Sequence, residues 1–110
     1  MARFEAYEVA IQIVVAVRRP MEAIRKVDAE LAKQIRRAAS SIPLNVVEGN
    51  RRMLGDRRHH WRIAAGSAAE TRAALQVAAA WGYVGEADVS SVLVLLDRVL
   101  ALLWRLTEKR

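Results

Sequence analysis

Apolar residues recur every three or four positions along almost the whole chain, a spacing that predicts helices rather than strands. In the first of them Phe4, Tyr7, Ile11 and Val14 form one apolar row, and Glu5, Glu8 and Gln12 form a polar stripe beside it. Val9, Ile13 and Val17 make a second row, so this helix is apolar on more than one side and needs more than one neighbour. Pro20, after Arg18 and Arg19, is expected to end it or open a turn, because proline has no N–H to donate. Asp28 has the chemistry of an N-cap. Leu31, Ile35, Ala39, Ile42 and Val46 then share one face of a second helix that runs to about Met53. Pro43 lies inside that pattern, and because the pattern resumes in register beyond it, a kink is expected rather than a break.

Gly55 followed by Asp56 reads as a glycine C-cap beside an acidic N-cap. A third helix is predicted from Asp56 to about Trp81, with Trp61, Ala65, Ala68, Arg72, Leu75 and Ala79 near one face and many small residues. Gly82, Tyr83, Val84 and Gly85 break the pattern. The fourth helix, about Glu86 to Thr107, carries Val89, Val92, Leu93, Leu96, Val99, Leu100, Leu103 and Leu106. With no strand alternation and only short connections, the prediction is an all-α, antiparallel up-and-down four-helix bundle, one domain over residues 1–110, its second helix kinked at Pro43.

The chain has no cysteine, which excludes disulfides, thiolate metal sites and thiol catalysis. Its first residues carry Arg3, Glu5 and Glu8 with no clear cleavage site after them, and the run Val92 to Trp104 is broken by Asp97 and Arg98. That run is shorter than the roughly 20 apolar residues of a membrane span, so a soluble cytoplasmic protein is the expectation.

Charge adds the first hint of function. From Lys33 to Arg62 there are eight basic residues (Lys33, Arg36, Arg37, Arg51, Arg52, Arg57, Arg58, Arg62) against Glu48 and Asp56, whereas the rest of the chain balances at ten against ten. The formal excess of +6 therefore belongs to one segment. Seven of the eight are arginines, whose planar fork suits phosphate, and His59 and His60 adjoin them. The competing reading is a solvated helical face.

The run Gln34-Ile35-Arg36-Arg37-Ala38-Ala39-Ser40-Ser41-Ile42-Pro43-Leu44-Asn45-Val46-Val47-Glu48-Gly49, then Arg52, then Ile63-Ala64-Ala65-Gly66-Ser67-Ala68-Ala69-Glu70, resembles the bacterial four-helix-bundle family of 23S ribosomal RNA intervening-sequence proteins. Gly82-Tyr83-Val84 and the Leu-rich last helix also fit, so the resemblance covers nearly the full length. Val46-Val47 stands where the family usually has Ile-Ala, and His60 sits near a position it usually fills with an aromatic. The resemblance implies a four-helix protomer assembling into a ring, a homopentamer, with nucleic-acid binding suspected. It also implies distant kinship with accessory variability proteins of diversity-generating retroelements.

On a helix, Arg37, Ser41, Asn45, Glu48 and Arg52 follow steps of three and four and make one polar stripe, while Ser67 and Glu70 share a side of the third helix. The two stripes are expected to face each other as a structural polar seam. Glu70 would accept from Arg36 or Arg37, and Ser41 or Asn45 would take up backbone groups freed by Pro43.

Glu48 and Glu70 could in principle serve as a general acid and base, yet no nucleophile, phosphate loop or cofactor motif accompanies them, and the chain is not expected to be an enzyme or to bind a cofactor. Asp56, His59 and His60 have ligand-like spacing but sit among arginines that would repel a cation, so no metal is expected.

Apolar surplus on the outer helices (Val9, Ile13 and Val17 in the first, Val94, Leu95, Leu102 and Trp104 in the last) is expected to drive self-association, the number five coming from the resemblance alone. The functional expectation is an oligomer that binds RNA or single-stranded nucleic acid through Arg51, Arg52, Arg57, Arg58 and Arg62. Trp61, Trp81, Trp104 and Tyr83 are expected to anchor the core or a subunit contact, with base stacking on Trp61, among its arginines, as the lesser alternative. The alternative is a scaffold for a protein partner, such as a reverse transcriptase or a ribosome-associated factor.

Overall fold

The computed structural model describes residues 2–108 as four helices: α1 (Ala2–Arg25), α2 (Ala29–Arg51), α3 (Leu54–Trp81) and α4 (Glu86–Glu108). Each packs against its neighbours in the chain, and α1 also packs on α4, which closes an up-and-down bundle of 42 × 22 × 19 Å. Its axis is filled by Val9, Ile13, Val17 and Ile24 of α1, Ile35, Ile42 and Val46 of α2, Trp61 and Leu75 of α3, and Val92, Leu96, Val99 and Leu103 of α4. The other buried residues of α3 are small, Ala64, Ala68, Thr71 and Ala78, which lets that helix approach closely. Among the described residues, no helix is long and apolar enough to cross a membrane.

Four expectations at the level of helices are corrected. Pro20 does not end α1, which continues to Arg25. Val17, Pro20 and Ile24 keep a spacing of three and four and are all buried, so apolar packing beyond the proline offsets the one hydrogen bond it removes. On α1 the two apolar rows are exchanged. Val9, Ile13 and Val17, flanked by Ala6 and Ala10, form the core, whereas Phe4, Tyr7, Ile11 and Val15 face outward. A helix wedged between two neighbours seats β-branched residues and alanines more closely than aromatic rings, and periodicity alone could not choose between the rows. On α4, Leu102 is buried rather than surplus, and Leu95 is partly covered, so the outward apolar residues there are Val94 and Trp104. On α3 the buried row is Trp61, Ala64, Ala68, Thr71, Leu75 and Ala78, displaced from the expected one at Ala65, Arg72 and Ala79.

Asp28 caps α2 as expected: its Oδ1 accepts from the Leu31 N–H at 3.0 Å. Alanine at this position is expected to lower stability by about 1 kcal/mol, and asparagine to restore most of it, in urea melts of the two variants. At the same end of the bundle Gly82 adopts a left-handed φ of 81°, and its N–H reaches the Ala78 and Ala79 carbonyls as a helix stop. Gly85 and Asp88 then start α4 by exchanging bonds, the Gly85 N–H to Asp88 Oδ2 at 3.0 Å and the Asp88 N–H to the Gly85 carbonyl at 3.0 Å. α2 is continuous from Ala29 to Arg51, so Pro43 does not break it.

Candidate nucleic-acid interface

The corner between α2 and α3 is built differently from its sequence. Gly55 and Asp56 were expected to separate the helices, yet both lie in the first turn of α3. The reversal is made by Arg52 (φ −97°, ψ 172°) and Met53 (φ −110°, ψ 142°), two extended residues with no side-chain cap on α3. A glycine stop is unnecessary because Arg57 reaches back, its Nε donating to the Arg52 carbonyl at 3.0 Å and the Gly49 carbonyl at 3.3 Å. Those carbonyls belong to the end of α2, where a cation also opposes the helix dipole.

Beneath Arg57 lies Trp61. It is 4% exposed, donates from Nε1 to the Val46 carbonyl at 3.4 Å, and carries the Arg57 guanidinium 5.6 Å above its ring. Its indole fills the space over Gly49, where a Cβ would come within 2.5 Å of Trp61 Cδ1 and Nε1. Trp61 is therefore a wedge holding α2 to α3, the core anchor expected of it, and its ring is not available to a base, which removes the lesser alternative of stacking.

Further along the same interface runs a polar seam. The Ser67 hydroxyl donates to Ser41 Oγ at 2.8 Å, and the Asn45 amide donates to Ser41 Oγ and to the Ser41 carbonyl, each at 2.9 Å. Asn45 Oδ1 faces His60 Nδ1 at 3.2 Å, and since an amide oxygen only accepts, the proton there belongs to His60. Ser41, Asn45 and Ser67 are thus joined as expected, but three parts of the expected seam are corrected. Glu70 is exposed and makes no ion pair with Arg36 or Arg37 among the described residues. Glu48 pairs locally, with Arg52 just beyond the end of α2 at 3.0 Å, and the hydrogen bond from Arg52 holds its carboxyl below the ordinary range. The carbonyl that Asn45 satisfies is that of Ser41, not that of Ala39, which is the one deprived by Pro43. Glu48 and Glu70 are also not a pair: with Gly49 level with Arg57, Glu70 lies about 20 Å further along α3.

The basic segment divides. Lys33, Arg36 and Arg37 lie on the first half of α2, roughly 20 Å of helix from Arg51. At the corner, Arg57 is half-buried and committed to backbone, Arg52 is paired with Glu48, and Arg62 is paired with Glu108 at 3.6 Å. Arg51 and Arg58 are exposed and make no ion pair among the described residues. The five expected arginines therefore comprise two open cations, two in exposed ion pairs that cost little to exchange, and one structural residue. No group of acidic, histidine or cysteine side chains with metal-site geometry occurs among the described residues, and Asp56, His59 and His60 do not converge on one point: His60 points to Asn45.

The comparisons with known proteins agree with this architecture. No curated protein matches. The chain shares its fold with a crystal structure from Bacteroides thetaiotaomicron described as a protein of unknown function from the S23 ribosomal protein family: TM-score 0.89, 19% identity, covering 99% of this chain and 100% of the other. A family model for 23S rRNA-intervening sequence proteins matches residues 2–105, a span that takes in α1 to α3, all but the last turn of α4, the Ser41–Asn45–Ser67 seam and the Gly49–Trp61 contact. On that match the chain belongs to the 23S rRNA-intervening sequence protein family.

Proposed function

We propose that this chain is a non-enzymatic, cytoplasmic, self-assembling bundle that binds RNA or single-stranded nucleic acid with little sequence preference. The observation that carries the reading is the α2–α3 corner, where Arg51 and Arg58 are exposed and have no carboxylate partner among the described residues, and Arg52 and Arg62 stand beside them. A guanidinium fork there contacts phosphate oxygens and releases condensed counterions. Titrating the protein with RNA, DNA and a heparin control over a salt series tests it. Two to four phosphate contacts per protomer give a log–log slope of roughly −1.5 to −3. Absence of binding at low salt removes the proposal.

Self-assembly is supported by the outward row of α1, where Phe4 is 60% and Val15 57% exposed with Tyr7 and Ile11 between them. Such a row, covered by another copy, would repeat the arginine corner around a ring, and five copies is the number the family resemblance implies. The Ile11→Glu, Val15→Glu variant is expected to sediment as a monomer; a wild-type chain already monomeric at micromolar concentration would end this part of the reading. The protein-scaffold alternative draws on Val94 and Trp104, both about two-thirds exposed on α4. It would be favoured if heparin and nucleic acid alike fail to bind.

A further inference from the structure

We propose that Trp81, seated on Tyr83, is a stacking platform for an unpaired base at the opposite end of α2 and α3 from the arginine corner. The inference rests on the nucleic-acid reading above and narrows its ligand to single strands.

Trp81 is 69% exposed at the last position of α3, so its indole contributes little to the core. Its ring lies nearly parallel to that of Tyr83, at 16° with centroids 6.3 Å apart, which leaves the other face of the indole open. Tyr83 is a firm support. Its N–H donates to the Ala78 carbonyl at 2.9 Å, its side chain is half-buried, and burial first and then the nearby Asp28 carboxylate of the α1–α2 turn push its phenol up in pKa. An exposed indole held flat and backed by a second ring is the geometry on which bases stack, whatever their identity.

The route to it is basic. Lys33, Arg37 and Arg51 recur at spacings that return to one side of α2, and all three are exposed. The 23 residues of α2 span roughly 35 Å, so phosphates laid along that side from the Arg51 corner reach the end at which Asp28, Tyr83 and Trp81 meet. A duplex keeps its bases inside and could use the cations but not the indole. A single strand can use both.

The test is fluorescence anisotropy of the full chain with oligo(dT), oligo(U) and a duplex of equal length, for wild type, Trp81→Ala, Trp81→Phe and the Arg51→Glu, Arg58→Glu variant. Trp81→Ala is expected to weaken single-strand binding about tenfold, with phenylalanine recovering part of it. The salt slope and the duplex affinity should stay unchanged, because no phosphate contact is removed. Equal loss on duplex and single strand, or no loss on either, overturns the platform. So does a change in sedimentation of Trp81→Ala, which would make the indole a protein contact. If wild type binds and the arginine variant does not, while Trp81→Ala matches wild type, the platform alone fails. If wild type binds nothing, the nucleic-acid reading fails first.

Discussion

Trp61→Ala is expected to cost about 3–5 kcal/mol, the range for deleting a buried large aromatic side chain. The ring is almost wholly covered, its Nε1 bond to the Val46 carbonyl disappears, and Arg57 loses the surface it lies on. At about 4–5 °C per kcal/mol the melting temperature should fall by roughly 12–25 °C. Gly49→Ala checks the same contact from the other side. In an exposed helix this change stabilises by up to about 1 kcal/mol. Here the added methyl meets the indole at 2.5 Å, so the sign should reverse to a loss of about 1–3 kcal/mol. A Gly49→Ala protein more stable than wild type in urea would show that the indole does not sit over Gly49.

Reversing Arg51 and Arg58 to glutamate is expected to lower nucleic-acid affinity on the order of a hundredfold at low salt and to flatten the log–log salt slope by about 1.5–2. Two phosphate contacts are removed and two repulsive charges take their place. Because both side chains are exposed and unpaired, the melting temperature should stay within about 2 °C of wild type. Arg57→Glu should do the opposite in one respect: it unfolds more readily, since Arg57 caps the α2 carbonyls and covers Trp61. An unchanged salt slope in the double reversal would remove the corner from the binding site, whatever the total affinity.

The sequence exposes the bundle well because its periodicity is unbroken, and α2 is readable almost residue by residue from Asp28 through Val46. What it hides are choices between equivalent patterns. Two apolar rows on α1 satisfy the same spacing, and only the width available between two neighbouring helices selects Val9, Ile13 and Val17 over Phe4, Tyr7 and Ile11. Gly55 and Asp56 look like a stop and a start because capping rules are local, whereas the actual cap on α2 is an arginine five and eight residues away from the carbonyls it serves. The site is less legible still. A count of arginines cannot separate Arg57, turned inward, from Arg51 and Arg58, and nothing in the local spacing announces that His60 will meet Asn45. One signal was available at the corner: a glycine inside a helical stretch often marks a close approach, and Gly49 is where Trp61 lands.

The concentration of cross-links between α2 and α3 bears on how the chain finds its fold. Two residues join these helices, and Asn45–His60 and Val46–Trp61 each close a loop of only 15 positions, whereas Glu5 and Arg98 must meet across 93. Diffusive closure of the short loop sacrifices less chain freedom, so the central hairpin is expected to nucleate early and the outer pair to zip shut afterwards. Truncations at Trp61 should then retard refolding, while those at Val99 should chiefly hasten unfolding.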